Sequence, residues 1–198
     1  MAAVKIDPMK LAGPWAEGYV IERQHTLSSE FLGHDSFGNP QFETNRSELG
    51  ELVFRLKNRS DKSTVDSIAD TAVEFIKGWA PPIDLIVPIP PSRSRAYQPV
   101  IAIANAIGMR LEKPVSKVAV RKVKATPELK DVFDYGQRTK LLEGAFQGDG
   151  AVVADKDILL VDDLYRSGAT ATIVAKALLD AGAKSVRMLA MTKTRTRT

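Results

Sequence analysis

The sequence predicts an α/β protein: a doubly wound, mainly parallel sheet preceded by a small N-terminal antiparallel hood. Three observations carry this. From residue 83 onward, apolar runs of strand length alternate with helical periodicity, the pattern of a sheet covered by helices. The run Ile158-Leu-Leu-Val161 is continuously apolar, as a central strand buried on both faces must be. Residues 17–43 read differently, with aromatic and β-branched residues broken by Gly33 and by the turn signal Asp35-Ser-Phe-Gly-Asn-Pro40.

The elements follow in order. After the hood, Asn45 or Ser47 caps a helix whose apolar positions include Leu49, Leu52, Val53 and Leu56. A second helix spans 63–78 through Val65, Ile68, Ala69, Ala72, Val73 and Ile76, and Pro81-Pro82 stops it. Strand 83–89 leads through a proline-rich turn to a helix near 97–110. Strand 115–120, a polar segment over 121–135 and a short helix over 136–143 come next. Strands near 151–154 and 157–162, helix 168–181 and strand 184–191 complete the pattern. Residues 1–45 thus form the hood, 46–192 the α/β core and 193–198 a solvated basic tail, within a single domain.

The 198 residues with 44% hydrophobic content suffice for one domain with a proper core. No apolar run approaches a membrane span, no signal-like N-terminus is present, and the absence of cysteine excludes disulfides and thiolate metal sites. These features read as a soluble cytoplasmic protein. The formal charge of +4 suits anionic ligands and is too mild to call for nucleic acid.

The functional signal lies at the end of strand 157–162. Asp162 and Asp163 follow the apolar run, a loop with Arg166, Ser167 and Gly168 follows them, and helical periodicity starts near Ala169. The first turn of a helix has N–H groups without intrahelical partners and carries partial positive charge, which makes it an anion site. Gly168 lets the backbone approach a phosphate, and Ser167 and Thr170 add hydroxyl donors. The aspartates repel a phosphate but accept hydrogen bonds, and a ribose 2′,3′-diol offers two donors. Acceptors beside an anion cradle therefore fit a ribose 5-phosphate; an acidic strand end holding Mg²⁺ and a simple helix cap are the plainer readings. No Gly-x-x-x-x-Gly-Lys-Ser/Thr run and no Gly-x-Gly-x-x-Gly after a strand is present, which removes P-loop and dinucleotide sites. A second basic turn, Pro91-Ser92-Arg93-Ser94-Arg95, follows strand 83–89, and its guanidinium forks suit a pyrophosphate.

Val161-Asp-Asp-Leu-Tyr-Arg-Ser-Gly-Ala-Thr170 resembles the phosphoribosyl pyrophosphate (PRPP) motif of type I phosphoribosyltransferases, departing from it at Arg166. Pro88–Gln98 and Arg138–Phe146 resemble stretches of the ComF-like branch, with Leu141 where that pattern has Asn. Those relatives usually begin with a four-cysteine zinc module, which a chain without cysteine lacks.

The resemblance implies Mg²⁺-dependent displacement of pyrophosphate from ribose C1 by a nitrogen nucleophile, a base or an amine. It implies that Asp162 and Asp163 hold the ribose, and the metal directly or through water. Residues 166–170, including Ala169, would bind the 5-phosphate. Pro91, Ser92, Arg93 and Arg95 would bind pyrophosphate, and Arg121, Lys122 or Lys124 from a mobile segment would reach it as it departs. The family often forms dimers. A catalytically silent PRPP sensor and a ComF-like role in DNA uptake are the alternatives. Trp15, Tyr19, Phe31, Phe37 and Phe42 are available to stack on an acceptor base or to pack in the core.

Overall fold

In the computed structural model, which describes residues 3–91, 96–126, 132 and 134–194, the N-terminal segment divides between two sheets. β1 (Met9–Lys10) pairs antiparallel with β2 (Glu17–Glu22), and β2 lies parallel to the last strand of the chain. Only β3 (Thr26–His34) and β4 (Pro40–Arg46) form a separate antiparallel hairpin. The expectation of one hood over 17–43 is corrected accordingly: Val20 and Ile21 are buried, and the main sheet is what buries them. At the hairpin turn the Asp35 carboxylate accepts from the N–H groups of Phe37 and Asn39.

Helix α1 (Glu48–Asn58) is capped by Ser47, whose hydroxyl accepts from the Gly50 N–H at 3.1 Å. Its buried positions Leu49, Val53 and Leu56 fall on one helical face. A 3₁₀ turn over Lys62–Thr64 leads into α2 (Val65–Trp79), which ends at Ala80 in the left-handed conformation. β5 (Leu85–Pro88) and α3 (Pro99–Leu111) follow, with proline in the first turn of α3, where a missing N–H is harmless.

The predicted strand 115–120 contributes to the main sheet only through a one-residue parallel bridge, Val115 to Ile86. The chain then leaves the sheet, and β6 (Val120–Lys122) precedes α4 (Tyr135–Leu142) and pairs with β7 (Phe146–Gly148). The predicted strand at 151–154 is instead helix α5 (Gly150–Val153), where the Asp149 carboxylate accepts from the Ala151 N–H. A short apolar run reads alike in either state, and the cap resolves it. β8 (Asp157–Tyr165), α6 (Ala169–Asp180) and β9 (Ser185–Lys193) follow.

The five-stranded sheet has the order β1-β2-β9-β8-β5, antiparallel only at β1. Helices α1, α2 and α3 cover one face, packing on Ile21, Ile86, Leu159, Val161 and Leu189. Helix α6 and the β6–β7 ribbon cover the other, over Leu85, Ile158, Leu160 and Met188. From β8 the chain crosses by α6 to β9, whereas from β5 it crosses by α3 toward the bridge at Val115 on the opposite side. Neighbouring strands whose connections diverge leave a crevice at their carboxyl ends, and such a switch point is where open α/β sheets bind ligands.

Candidate functional site

A cavity of about 650 Å³ opens at this switch point. Pro90 and Pro91, after β5, form one rim, and the stretch from Asp162 to Ala171 forms the other. β8 runs past the predicted end at residue 162 to Tyr165 and so carries both acids within the strand. Successive residues of a strand point to opposite faces. The Asp163 carboxylate accordingly meets the α1 side of the sheet, where Lys57 donates to it at 2.8 Å. Both aspartates line the cavity, but they straddle the sheet end rather than standing side by side.

Their electrostatics differ. Asp162 accepts from the N–H of Asp163, yet burial first and the charge of Asp163 second push its carboxyl up to about 7. Lys57 opposes that rise. Near the same end, burial and the cations Arg46 and Lys57 hold His25 below the usual imidazole range, and its Nδ1 lies 3.0 Å from the Thr192 hydroxyl.

The turn into α6 is built for close approach. Gly168 has φ +81°, and a Cβ there would overlap the Tyr165 hydroxyl, so glycine is required twice over. Gly168 itself occupies the N-cap position and supplies no side-chain acceptor. Ser167 Oγ reaches the Ala169 N–H only at 3.5 Å. The first turn of α6 therefore presents its N–H groups and positive dipole end to the cavity, where a bound anion gains about 0.3–1 kcal/mol from the dipole.

Of the residues singled out in the sequence, the cavity wall brings together Pro91, Lys122, Asp162 and Asp163 with Arg166, Ser167, Gly168, Ala169 and Thr170. Ser92, Arg93 and Arg95 lie outside the described residues. Arg121 turns instead to Asp149 at 3.1 Å, Lys124 is exposed, and Leu142 rather than Leu141 faces the cavity. Trp15 is buried in the core, and Tyr19 packs edge-on against Phe75 and Trp79. Phe31, Phe37 and Phe42 are exposed on the hairpin, away from the cavity wall.

Two cations in the wall went unassigned in the sequence reading. Lys57 is 106 residues from its partner Asp163, and nothing local announces that pairing. Arg138 is 6% exposed and donates to the Ser167 hydroxyl at 3.1 Å. Its signal was present: an arginine in the register of the buried helical position Leu142.

No protein-family model matches the sequence, and no curated protein does. Among solved structures the chain is similar to a glutamine PRPP amidotransferase from B. subtilis, at 15% identity and TM-score 0.50. That match covers 87% of this chain but 36% of the amidotransferase, so the chain spans about a third of that protein. It is also similar to an adenine phosphoribosyltransferase from Leishmania tarentolae, at 12% identity, covering 82% and 83% of the two chains with TM-score 0.46. Another from Thermoanaerobacter pseudethanolicus matches at 15% identity over 83% and 94% with TM-score 0.44. The chain has a type I phosphoribosyltransferase-like α/β fold. Among the described residues no helix is long and apolar enough to cross a membrane.

Proposed function

We propose that the protein binds PRPP and transfers its phosphoribosyl group to a nitrogen nucleophile. The observation that carries this reading is the convergence, in one cavity, of an uncapped helix start and two carboxylates. The 5-phosphate sits against Ser167, Gly168, Ala169 and Thr170, and the ribose diol donates to Asp162 and Asp163. In the reaction the C1–oxygen bond to pyrophosphate breaks with its electron pair leaving on oxygen, and a C1–nitrogen bond forms as the nucleophile loses a proton. Preorganised charge supplies the catalysis: the acids favour positive charge growing on the ribose, and Lys122 meets the leaving group. Arg93, Arg95 and Ser92 join Lys122 on the strength of their sequence pattern alone.

The cavity fits a magnesium ion that arrives with its substrate, because Mg²⁺ takes one or two carboxylates plus phosphate oxygens. Two carboxylates are present, and no group of three metal-ligating side chains occurs among the described residues. Asp162 and Asp163 would hold the ion, directly or through water; bound, it would offset charge on the departing pyrophosphate.

One observation favours a second reading, a PRPP sensor without turnover. Asp163 is neutralised by Lys57, and Asp162 is disposed to keep its proton, which leaves little negative charge facing the ribose. Pyrophosphate release decides between them when protein, PRPP and Mg²⁺ are mixed with a panel of bases and amines. Release with one acceptor establishes the transferase; silence with PRPP bound favours the sensor; absence of PRPP binding ends both. Kinship to the ComF-like branch, proposed from the stretches at 88–98 and 138–146, adds a DNA-linked role. Retention on DNA that falls steeply with salt would support that role.

A further inference from the structure

Arg138 stands where an arginine is expensive. It lies on the inner face of α4 and is 6% exposed. Both its burial and the neighbouring Arg166 disfavour its charge, and the positive end of α6 is close by. The contacts around it fix α4 and the guanidinium in place. The Asp134 carboxylate caps α4 by accepting from the Gln137 N–H at 2.7 Å. One helical turn before Arg138, the Tyr135 hydroxyl meets Thr172 of α6 at 3.1 Å, which locks α4 against α6. The guanidinium itself donates through Nε to the Val132 carbonyl and through Nη1 to Ser167 Oγ.

The Ser167 end of this chain of contacts points to a ligand. A serine hydroxyl has two acceptor lone pairs and one donor proton. Here the acceptors face Arg138 at 3.1 Å and, more weakly, the Ala169 N–H at 3.5 Å. A hydroxyl that accepts from a cation is polarised toward donating its own proton. The cavity wall places that hydroxyl beside the open first turn of α6.

We propose that Arg138 is the positioning residue of the phosphate site: its guanidinium, anchored by the Val132 carbonyl, occupies the acceptor side of Ser167 and commits that hydroxyl to donate to the ligand's phosphate. This rests on the phosphoribosyl reading above. The planar fork matters, because only a guanidinium reaches both oxygens from one group.

The experiment is a double-mutant cycle read by calorimetry with ribose 5-phosphate, with pyrophosphate titrated as the control for the opposite end of the site. Arg138→Gln and Ser167→Ala are each expected to weaken ribose 5-phosphate about tenfold, and the double variant is expected to bind no worse than the weaker single. Pyrophosphate affinity stays level throughout. Should Arg138→Gln not fold, Arg138→Lys replaces it in the cycle: the charge remains, the two-edged fork is lost, and a several-fold loss is expected. Additive losses, or undiminished affinity in the arginine variants, overturn the role of Arg138 while leaving the phosphoribosyl reading intact. A wild-type protein that binds neither ribose 5-phosphate nor PRPP overturns that reading and this inference with it.

Discussion

Strand β8 carries aspartate at both ends, and the fold treats the two ends oppositely. At its start, Asp157 accepts from the Ser185 hydroxyl at 2.6 Å, from Lys184 at 2.9 Å and from Arg187 at 3.3 Å. The hydrogen bond from Ser185 first, and that from Lys184 next, hold its carboxyl down to about 2. At the other end, Asp162 is pushed up to about 7 by burial and by the charge of Asp163. One acid is saturated by its own chain and ties β8 to β9. The other lines the cavity, and a carboxyl so perturbed is of the kind that clusters at functional sites.

The largest expected effect therefore falls at the end away from the cavity. Asp157→Ala takes the acceptor from Arg187, 15% exposed, and from the Ser185 hydroxyl at a cost of roughly 2–4 kcal/mol, while Lys184, 66% exposed, turns to water. Urea denaturation should show that loss, while ribose 5-phosphate affinity per folded molecule stays unchanged. A parallel fall in affinity would break the division of labour between the ends. Gly168→Ala tests the cavity end next. The left-handed backbone and the overlap with Tyr165 should cost about 2 kcal/mol of stability. Unlike the first variant, it should also lower ribose 5-phosphate affinity more than tenfold, because the N–H groups of α6 lose their aim.

The two ends also differed in how well the sequence announced them. The cavity end was legible because its parts are consecutive: the apolar run, Asp162, Asp163, Gly168 and the helix start lie within one short stretch. The other end depends on Ser185 and Arg187 of β9 and on Lys184 just before it, and no local pattern reports such a meeting. The same limit hid Lys57. It also hid β2, whose Tyr19 pairs in register with Leu189 from the far end of the chain, while its alternation alone reads as a hairpin strand. Where local signals erred, they were short. Ala151-Val-Val-Ala154 fits helix or strand, and Asp149 before Gly150 was the unread cap. The run 115–120 looks like a strand, yet Val118 is half exposed and the ladder with β5 is confined to the bridge between Val115 and Ile86.

Asp163→Asn should sharpen the contrast within the acidic pair itself. The exchange removes an ionised acceptor and leaves Lys57, which is 31% exposed and can turn to water, so the stability cost should stay within about 1 kcal/mol. PRPP affinity should fall about tenfold, the worth of one charge-assisted hydrogen bond to a sugar hydroxyl. Calorimetry that finds the same affinity would remove Asp163 from the diol site and leave it as Lys57's partner only.

The smallest effect is the one with the most telling pH dependence. The folded-state carboxyl of Asp162 lies above its ordinary value of 3.8, so the native protein binds its proton more tightly than the unfolded chain does. Its favourable contribution is complete below about pH 4 and is lost as pH rises through about 7. Asp157 has the opposite sign: its contribution is present above about 3.8 and is lost only as pH falls through about 2. Between about pH 4 and pH 7, wild-type stability measured by urea should decline with rising pH, and Asp162→Asn should flatten that decline by replacing the desolvated acid with a neutral amide of the same shape. At pH 8, above both values, the amide variant should be more stable than the wild type, because it carries no desolvated charge. A slope that survives the substitution would place the titrating group elsewhere and would make the two ends of β8 alike.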